Sequence, residues 1–341
     1  MTTRKVTPCS PKGNTTGPLD YDHYVALDWS MLSMAIGHLR PRDAAPQVWE
    51  RPTNLVALKE WLQSLKGTTV LTFEETTTAH WLFVELRDCV NRIIICNPYK
   101  NRLLSDGPKT DKIDAGKLVT LLRAGLLTEV FHSDDQLYDL RLLVSAYTDL
   151  VRAGVRLQNQ RSALERGHSE SSTHAPFILE HLQKAIALYT ESKEAYVRKF
   201  HGCARRIAQI RGLLPVPGVG IISAVTIVAV VVDARRFAHD GKYHSYCGLI
   251  KHQKFSGGRH YGKRKPQYSR TLKAVYKIAA LAAIQGDNPI REYYESLLAK
   301  GFTDYNARHQ VARYLATVTY GVLKTGTPYD PYRWRKFAAV A

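Results

Sequence analysis

Four acids stand out for where they fall. Asp28 ends a short apolar run, Tyr24-Val25-Ala26-Leu27, and Glu74 follows another, Val70-Leu71-Thr72-Phe73. Asp111 and Asp114 stand three residues apart in KTDKIDAGKL, a spacing that puts both on one face of a helix. If the apolar runs are neighbouring strands of an open sheet, their ends converge on one edge, where sites form. Four carboxylates meeting there repel one another unless divalent cations neutralise them. An all-oxygen donor set selects hard ions, Mg²⁺ or Mn²⁺. Two such ions can hold the attacking and leaving oxygens of a phosphoryl transfer. The competing reading is that Asp28 and Asp111 cap helices and Asp114 is a surface residue.

Ser256 is a second chemical candidate. It precedes Gly257-Gly258, a pair that lets backbone approach a phosphate closely. Arg259 and Lys263 follow, able to stabilise charge on a pentavalent phosphorus. The same residues also read as a flexible glycine loop. No Ser–His–Asp spacing accompanies the serine, so its activation would come from metal ions or a neighbouring acid. Around it, Lys251 to Lys277 carries Lys251, Lys254, Arg259, Lys263, Arg264, Lys265, Arg270, Lys273 and Lys277 and no acid. A solvated face normally mixes signs. An acid-free run interleaved with Tyr261, Tyr268 and Tyr276 suits a phosphate backbone and stacked bases, and Pro331 to Lys336 repeats that chemistry on a small scale. Upstream, the Gly218-Val219-Gly220 turn suits either a phosphate at a helix N-terminus or a tight helix–helix turn.

The elements that must position these residues follow from periodicity. Residues 1–20 have almost nothing apolar and read as a flexible tail. Residues 21–130 read as α/β: strands at Tyr24–Leu27, Met31–Leu39, Val70–Phe73 and Arg92–Cys96, with helices at Leu55–Leu65, Trp81–Val90 and Asp111–Leu122, a mixed sheet covered by helices. Residues 136–211 carry two heptad-like runs, Leu140 to Leu164 and Leu182 to Ile210, joined by a polar break. They predict an antiparallel helical hairpin or a dimerising coiled coil, or else ordinary helices packed on a globular core. Residues 212–341 read as a mainly α C-terminal domain.

Composition narrows the function. Among 341 residues, Lys and Arg number 48 against 30 Asp and Glu, a net charge of +18. Such an excess points to an acidic partner, most often nucleic acid. With 45% hydrophobic and 23% charged residues, the chain is neither wholly disordered nor a membrane bundle. The N-terminus has no signal-like apolar run, and Ile221–Val232 is too short to span a bilayer. The five cysteines are scattered without a C-x-x-C pair, against a disulfide framework or a zinc site. A cytoplasmic protein with reduced thiols and no membrane partner is expected. No Walker-type loop is present, and LDWS lacks the glycine of a sugar-kinase-like phosphate loop.

The order Asp28 in LDWS, Glu74 in EETTTAHWL, then KTDKIDAGKL resembles the RuvC-like (RNase H-like) DEDD domain of insertion sequence 110 family transposases. LLPVPGVGIISAVTIVAVVVDARRF followed by YCGLIKHQKFSGG resembles that family's C-terminal transposase domain. The resemblance covers residues 22 to about 285 in order. It implies a mobile-element recombinase acting at the bacterial nucleoid, in which Asp28, Glu74, Asp111 and Asp114 bind metal and Ser256 is the nucleophile. It further implies a structured non-coding bridge RNA that guides the protein to donor and target DNA, and a homo-oligomer, dimer or tetramer. Two departures matter. Glu74-Glu75-Thr76-Thr77 stands where the family has Glu-Ala-Thr-Gly, so Glu75 competes for the ligand role, although Thr76 keeps the family spacing for Glu74. Lys263 to Arg270 replaces a Ser-Lys-Arg-Gly stretch. The alternatives are a metal-dependent RuvC-like endonuclease in which water attacks, and a catalytically inactive nucleic-acid-binding scaffold.

Overall fold

The computed structural model describes residues 20–98, 100, 110–132, 137–167, 172–264 and 267–332. The tail at 1–19, Lys265 and the basic residues after Tyr332 lie outside the described residues. The chain divides into two compact units, Met1–Asp134 and Asp135–Ala341.

The first unit is a five-stranded sheet in the order β3-β2-β1-β4-β5. Its strands are β1 (His23–Trp29), β2 (Ser33–Leu39), β3 (Gln47–Pro52), β4 (Thr69–Glu74) and β5 (Arg92–Cys96). β1, β2 and β3 pair antiparallel, whereas β1, β4 and β5 run parallel. The helices are α1 (Leu55–Ser64), α2 (Ala79–Leu86) and α3 (Asp111–Arg123). Alternation along the strands sorts the core into two layers. Val25 and Leu27 of β1 and Leu71 and Phe73 of β4 pack with Leu58 and Leu62 of α1 and Leu82 and Leu86 of α2. Tyr24, Ala26 and Val70 point the other way, onto Leu118, Val119 and Leu122 of α3. The central strands are buried on both faces and therefore read as continuous apolar runs. β3 escaped the sequence reading because it is a mostly exposed edge strand with no apolar alternation.

Two local details set where α3 lies. Thr110 caps it, its side chain accepting from the Ile113 N–H at 3.3 Å, so the helix starts at Asp111. Gly37 of β2, paired with Ala26, lets the helix sit directly on the sheet. A Cβ at Gly37 would stand 2.5 Å from the Ala115 carbonyl oxygen and 3.1 Å from Val119 Cγ1.

The second unit is mainly helical: α4 (Tyr138–Gly167), α5 (Ala175–Arg206), α6 (Ala208–Leu213), α7 (Ile221–Val231), α8 (Asp240–Tyr246), α9 (Arg270–Ala283), α10 (Pro289–Ala299) and α11 (Asp304–Thr325), with a two-stranded ribbon of β6 (His252–Ser256) and β7 (Arg259–Arg264). α4 and α5 form an antiparallel hairpin: Tyr147 packs on Tyr196 and Phe200, with ring centroids 5.8 and 5.1 Å apart, and Gly154 lies under the Tyr189 ring. Leu140, Val144, Phe200 and Cys203 join the core of this unit around α7, whereas Val155, Phe177 and Leu188 are exposed. α7 is apolar on nearly every side, as a helix buried all round must be. Gly218, with φ +78°, is pressed against the Ala279 carbonyl of α9, so close helix packing explains this glycine. Among the described residues no helix is long and apolar enough to cross a membrane.

Gly37→Val should force α3 off the sheet. Overpacking of this kind costs roughly 1–3 kcal/mol, to be read as a lower urea midpoint.

Candidate carboxylate site and serine ribbon

The parallel register of β1 and β4 runs from His23 against Thr69 to Ala26 against Thr72. Two residues further along each strand stand Asp28 and Glu74. They continue the alternation of Tyr24, Ala26 and Val70, so both belong to the face that α3 covers. Both are half-buried. Asp111 and Asp114 occupy the first turn of α3. Burial, and then the negative charges of Asp111 and Asp114, push the Asp28 carboxyl above the usual carboxylate range. Three of the sequence's candidate acids are thus within electrostatic reach of one another, and the fourth ends the neighbouring strand on the same face.

Glu75 is differently placed. It lies beyond the end of β4, its backbone N–H donating to the Cys96 carbonyl at 3.0 Å. Its carboxylate stands 3.9 Å from His132 Nε2, and His132 stacks on His80 of α2, on the opposite layer of the sheet. Burial pushes the Glu75 carboxyl up.

A cation fits the chemistry of the α3 edge. Oδ1 of Asp114 is buried and has no hydrogen-bond partner among the described residues, an arrangement that is costly for a carboxylate oxygen unless something positive meets it. The donors are carboxylates, suited to Mg²⁺ or Mn²⁺. They are not drawn into a tight cage: among the described residues no group of three or more His, Cys, Asp or Glu is set to hold a metal ion as the side chains stand. Like charges at one edge favour that spacing.

Ser256 belongs to the other unit. It is the last residue of β6 and pairs with Arg259, the first of β7. Gly257 and Gly258 between them have φ +54° and +77°. Two consecutive left-handed residues make the tight two-residue turn whose twist matches a β-hairpin. The glycine loop of the sequence reading is therefore an ordered hairpin tip. A Cβ at either glycine meets nothing within 4 Å, so φ rather than crowding demands glycine here. Ser256 and Arg259 are exposed and face each other across the turn. A register shift at Lys254/Phe255 follows, and the Lys254 ammonium lies 5.9 Å from the centre of the Tyr261 ring.

Lys251, Lys254, Arg259, Lys263 and Arg270 are exposed, and Lys273 stands over the Tyr268 ring at 4.7 Å. None of the six pairs with a carboxylate among the described residues. Arg264 closes β7 through its backbone. Sequence reasoning missed Gly37, which carries no chemistry yet sets the depth of Asp114, and it missed the ribbon.

Comparison with known families adds to this geometry. Residues 43–167 match a model described as Transposase, of the DEDD IS110 type, and residues 211–295 match one described as Transposase IS116/IS110/IS902 family. The chain belongs to the IS116/IS110/IS902 transposase family. Glu74, Asp111 and Asp114 lie inside the first match and Ser256 inside the second, whereas Asp28 precedes both. The chain is 32% identical over 119 residues to the insertion element IS110 uncharacterized 43.6 kDa protein of Streptomyces coelicolor, 35% of this chain and 29% of that one. It is 29% identical over 198 residues to the y4qE protein of Sinorhizobium fredii, 54% and 50%, and 28% identical over 116 residues to the insertion element IS116 uncharacterized 44.8 kDa protein of Streptomyces clavuligerus, 34% and 29%. The chain thus spans half or less of the length of these curated relatives.

Asp28→Asn should remove the repulsion at the α3 edge. In EDTA the variant should melt above the wild type by differential scanning calorimetry. Adding Mg²⁺ should raise the wild-type melting temperature and leave that of Asp28→Asn nearly unmoved.

Proposed function

We propose that this chain is the DNA transposase of a mobile element, a recombinase that cuts and rejoins DNA through a phosphoserine link. The observation that carries the reading is the gathering of Asp28, Asp111 and Asp114 at one sheet edge, with a buried and unpartnered oxygen on Asp114, in a chain of a transposase family. The sheet unit serves as a RuvC-like (RNase H-like) domain, and Asp28, Glu74, Asp111 and Asp114 hold Mg²⁺ or Mn²⁺. Glu74 is preferred to Glu75 because strand alternation assigns it to the face of Asp28, while Glu75 approaches His132. Bound there, a divalent ion would stabilise charge developing on phosphoryl oxygens.

Ser256 attacks a DNA phosphodiester. Its Oγ forms the new P–O bond, the bond from phosphorus to one deoxyribose oxygen breaks, and the Oγ proton passes to a base while the leaving oxygen gains one. Resealing runs the same step backwards, with the deoxyribose hydroxyl displacing the serine, so no nucleotide is consumed. Arg259, across the turn from Ser256, is suited to the charge on phosphorus. The cations from Lys251 to Lys273 take the DNA backbone, and Lys265 is assigned the same part by its place in the sequence alone. The family resemblance supports guidance by a structured bridge RNA that pairs with donor and target DNA, and action at the nucleoid in the bacterial cytoplasm. The exposed Val155, Phe177 and Leu188 on the helical hairpin suit a homo-oligomer, dimer or tetramer.

A water-attacking nuclease using the same carboxylates is the second reading, and the products separate the two. With labelled cognate DNA carrying a nick near the cleavage site, wild-type protein in Mg²⁺ should give a protease-sensitive covalent adduct on denaturing gels. Ser256→Ala should bind DNA and give none, and Asp114→Asn or excess EDTA should abolish both adduct and recombination. Free DNA ends with no adduct would assign the attack to water. Mixing Asp114→Asn with Ser256→Ala protein should restore some activity if the two halves of the site come from different subunits of an oligomer.

A further inference from the structure

The acid-free run ends at Lys277, but on α9 it does not stand alone. His309 and Arg313, one turn apart on α11, lie against the same patch: burial, and then the cations of Arg313, Lys277 and Lys273, hold the His309 imidazole below its ordinary range. The two helices pack against each other, with the Tyr276 hydroxyl of α9 2.7 Å from the Thr319 hydroxyl of α11. Arg313 also fixes the root of the ribbon, its Nε donating to the Leu249 carbonyl at 2.9 Å. Gly248, the residue before, is closed over by the Tyr268 ring on which the Lys273 ammonium rests. α9, α11 and the start of the β6–β7 ribbon are thus tied together around one group of cations.

No acid answers them. Lys273, Lys277 and Arg313 have no carboxylate partner among the described residues: Asp240, which acts with Arg313 on the His244 ring, makes no ion pair with any of the three. Three permanent cations and an imidazole converging from two helices repel one another, and a polyanion lying across them removes the cost.

We infer that Lys273, Lys277, His309 and Arg313 form a backbone-phosphate site for the DNA strand whose scissile phosphate is presented to Ser256. The second half of that statement rests on the proposed role of Ser256; the phosphate site does not. From Leu249, gripped by Arg313, the chain to Ser256 covers at most about 25 Å at ~3.4 Å per residue. A B-form strand carries one phosphate per ~3.4 Å of rise, so a strand entering at the cluster reaches the serine within about seven phosphates. His309 and Arg313 lie beyond residue 295, where the family match ends, and nothing in their local sequence marks them, since α11 is largely a core helix.

The test uses the full chain and a fluorescein-labelled DNA duplex of arbitrary sequence, with affinity measured by anisotropy across a KCl series. Lys277→Ala and Arg313→Gln, singly and together, should each flatten the slope of log affinity against log salt by about 0.9, with melting curves confirming folded protein. Lys277 is exposed and makes no packing bond, so its variant keeps the test valid if Arg313→Gln loosens the ribbon. Unchanged slopes in both single variants overturn the inference, as does a loss seen only on an RNA duplex of the same sequence. Ser256→Ala should keep the wild-type slope. If the slopes fall as expected but wild-type protein never forms a Ser256 adduct, the serine reading fails and the phosphate site stands.

Discussion

The approach of one helix to one strand governs the first unit. Where the Ala115 carbonyl comes down on Gly37 there is no room for a side chain, and this contact fixes how deeply α3 seats on the sheet. Asp114 immediately precedes Ala115, so its depth is fixed with it. The Thr110 cap sets the other coordinate by starting the helix at Asp111, which puts both acids in the first turn. There the partial positive charge of a helix N-terminus offsets some of the cost of crowding carboxylates. Burial and the remaining repulsion meet at Asp28, the half-buried strand residue that feels both helix acids.

How much of this was legible in the sequence depended on burial. β1, β4 and β5 are covered on both faces, so they read as apolar runs, and Asp28 and Glu74 stood out because each breaks such a run at its end. β3 is exposed and left no trace. Glu74 and Glu75 were inseparable as letters; only alternation in a paired strand sends one toward α3 and the other toward His132. Gly37 resembled any strand glycine, because what it accommodates comes from residues some eighty positions later. The ribbon was hidden for another reason. The described side chains of β6 and β7 are exposed, so the ribbon carries no apolar alternation, and only Gly257-Gly258 betrayed a turn. Arg313 and His309 were invisible because what matters about them is the company α9 and Leu249 bring.

The two units divide their labour by charge. The sheet unit concentrates acids at one edge, and the helical unit displays unpaired cations on the ribbon and α9. Each has a hydrophobic core of its own, so each can tolerate electrostatic strain without help from the other. In the helical unit the core also holds a hydroxyl chain, Tyr243 to Tyr276 at 2.5 Å and Tyr276 to Thr319 at 2.7 Å. Burial keeps both phenols protonated, and the chain pins α8, α9 and α11 beneath the cationic surface.

The Gly257-Gly258 turn has a thermodynamic consequence. A lone two-stranded ribbon is marginally stable in water, and this one is tied at its root, where Ser245 meets His252 at 3.1 Å and Arg313 holds Leu249. At the far end Ser256 is followed by two exposed glycines. Glycine carries the largest backbone entropy of any residue, so arresting the tip consumes part of whatever free energy a bound strand supplies. If Ser256 is the nucleophile proposed above, a strand that grips the root but fails to brace the tip would leave its hydroxyl poorly placed, and discrimination between such strands would show in the rate of the chemical step rather than in affinity.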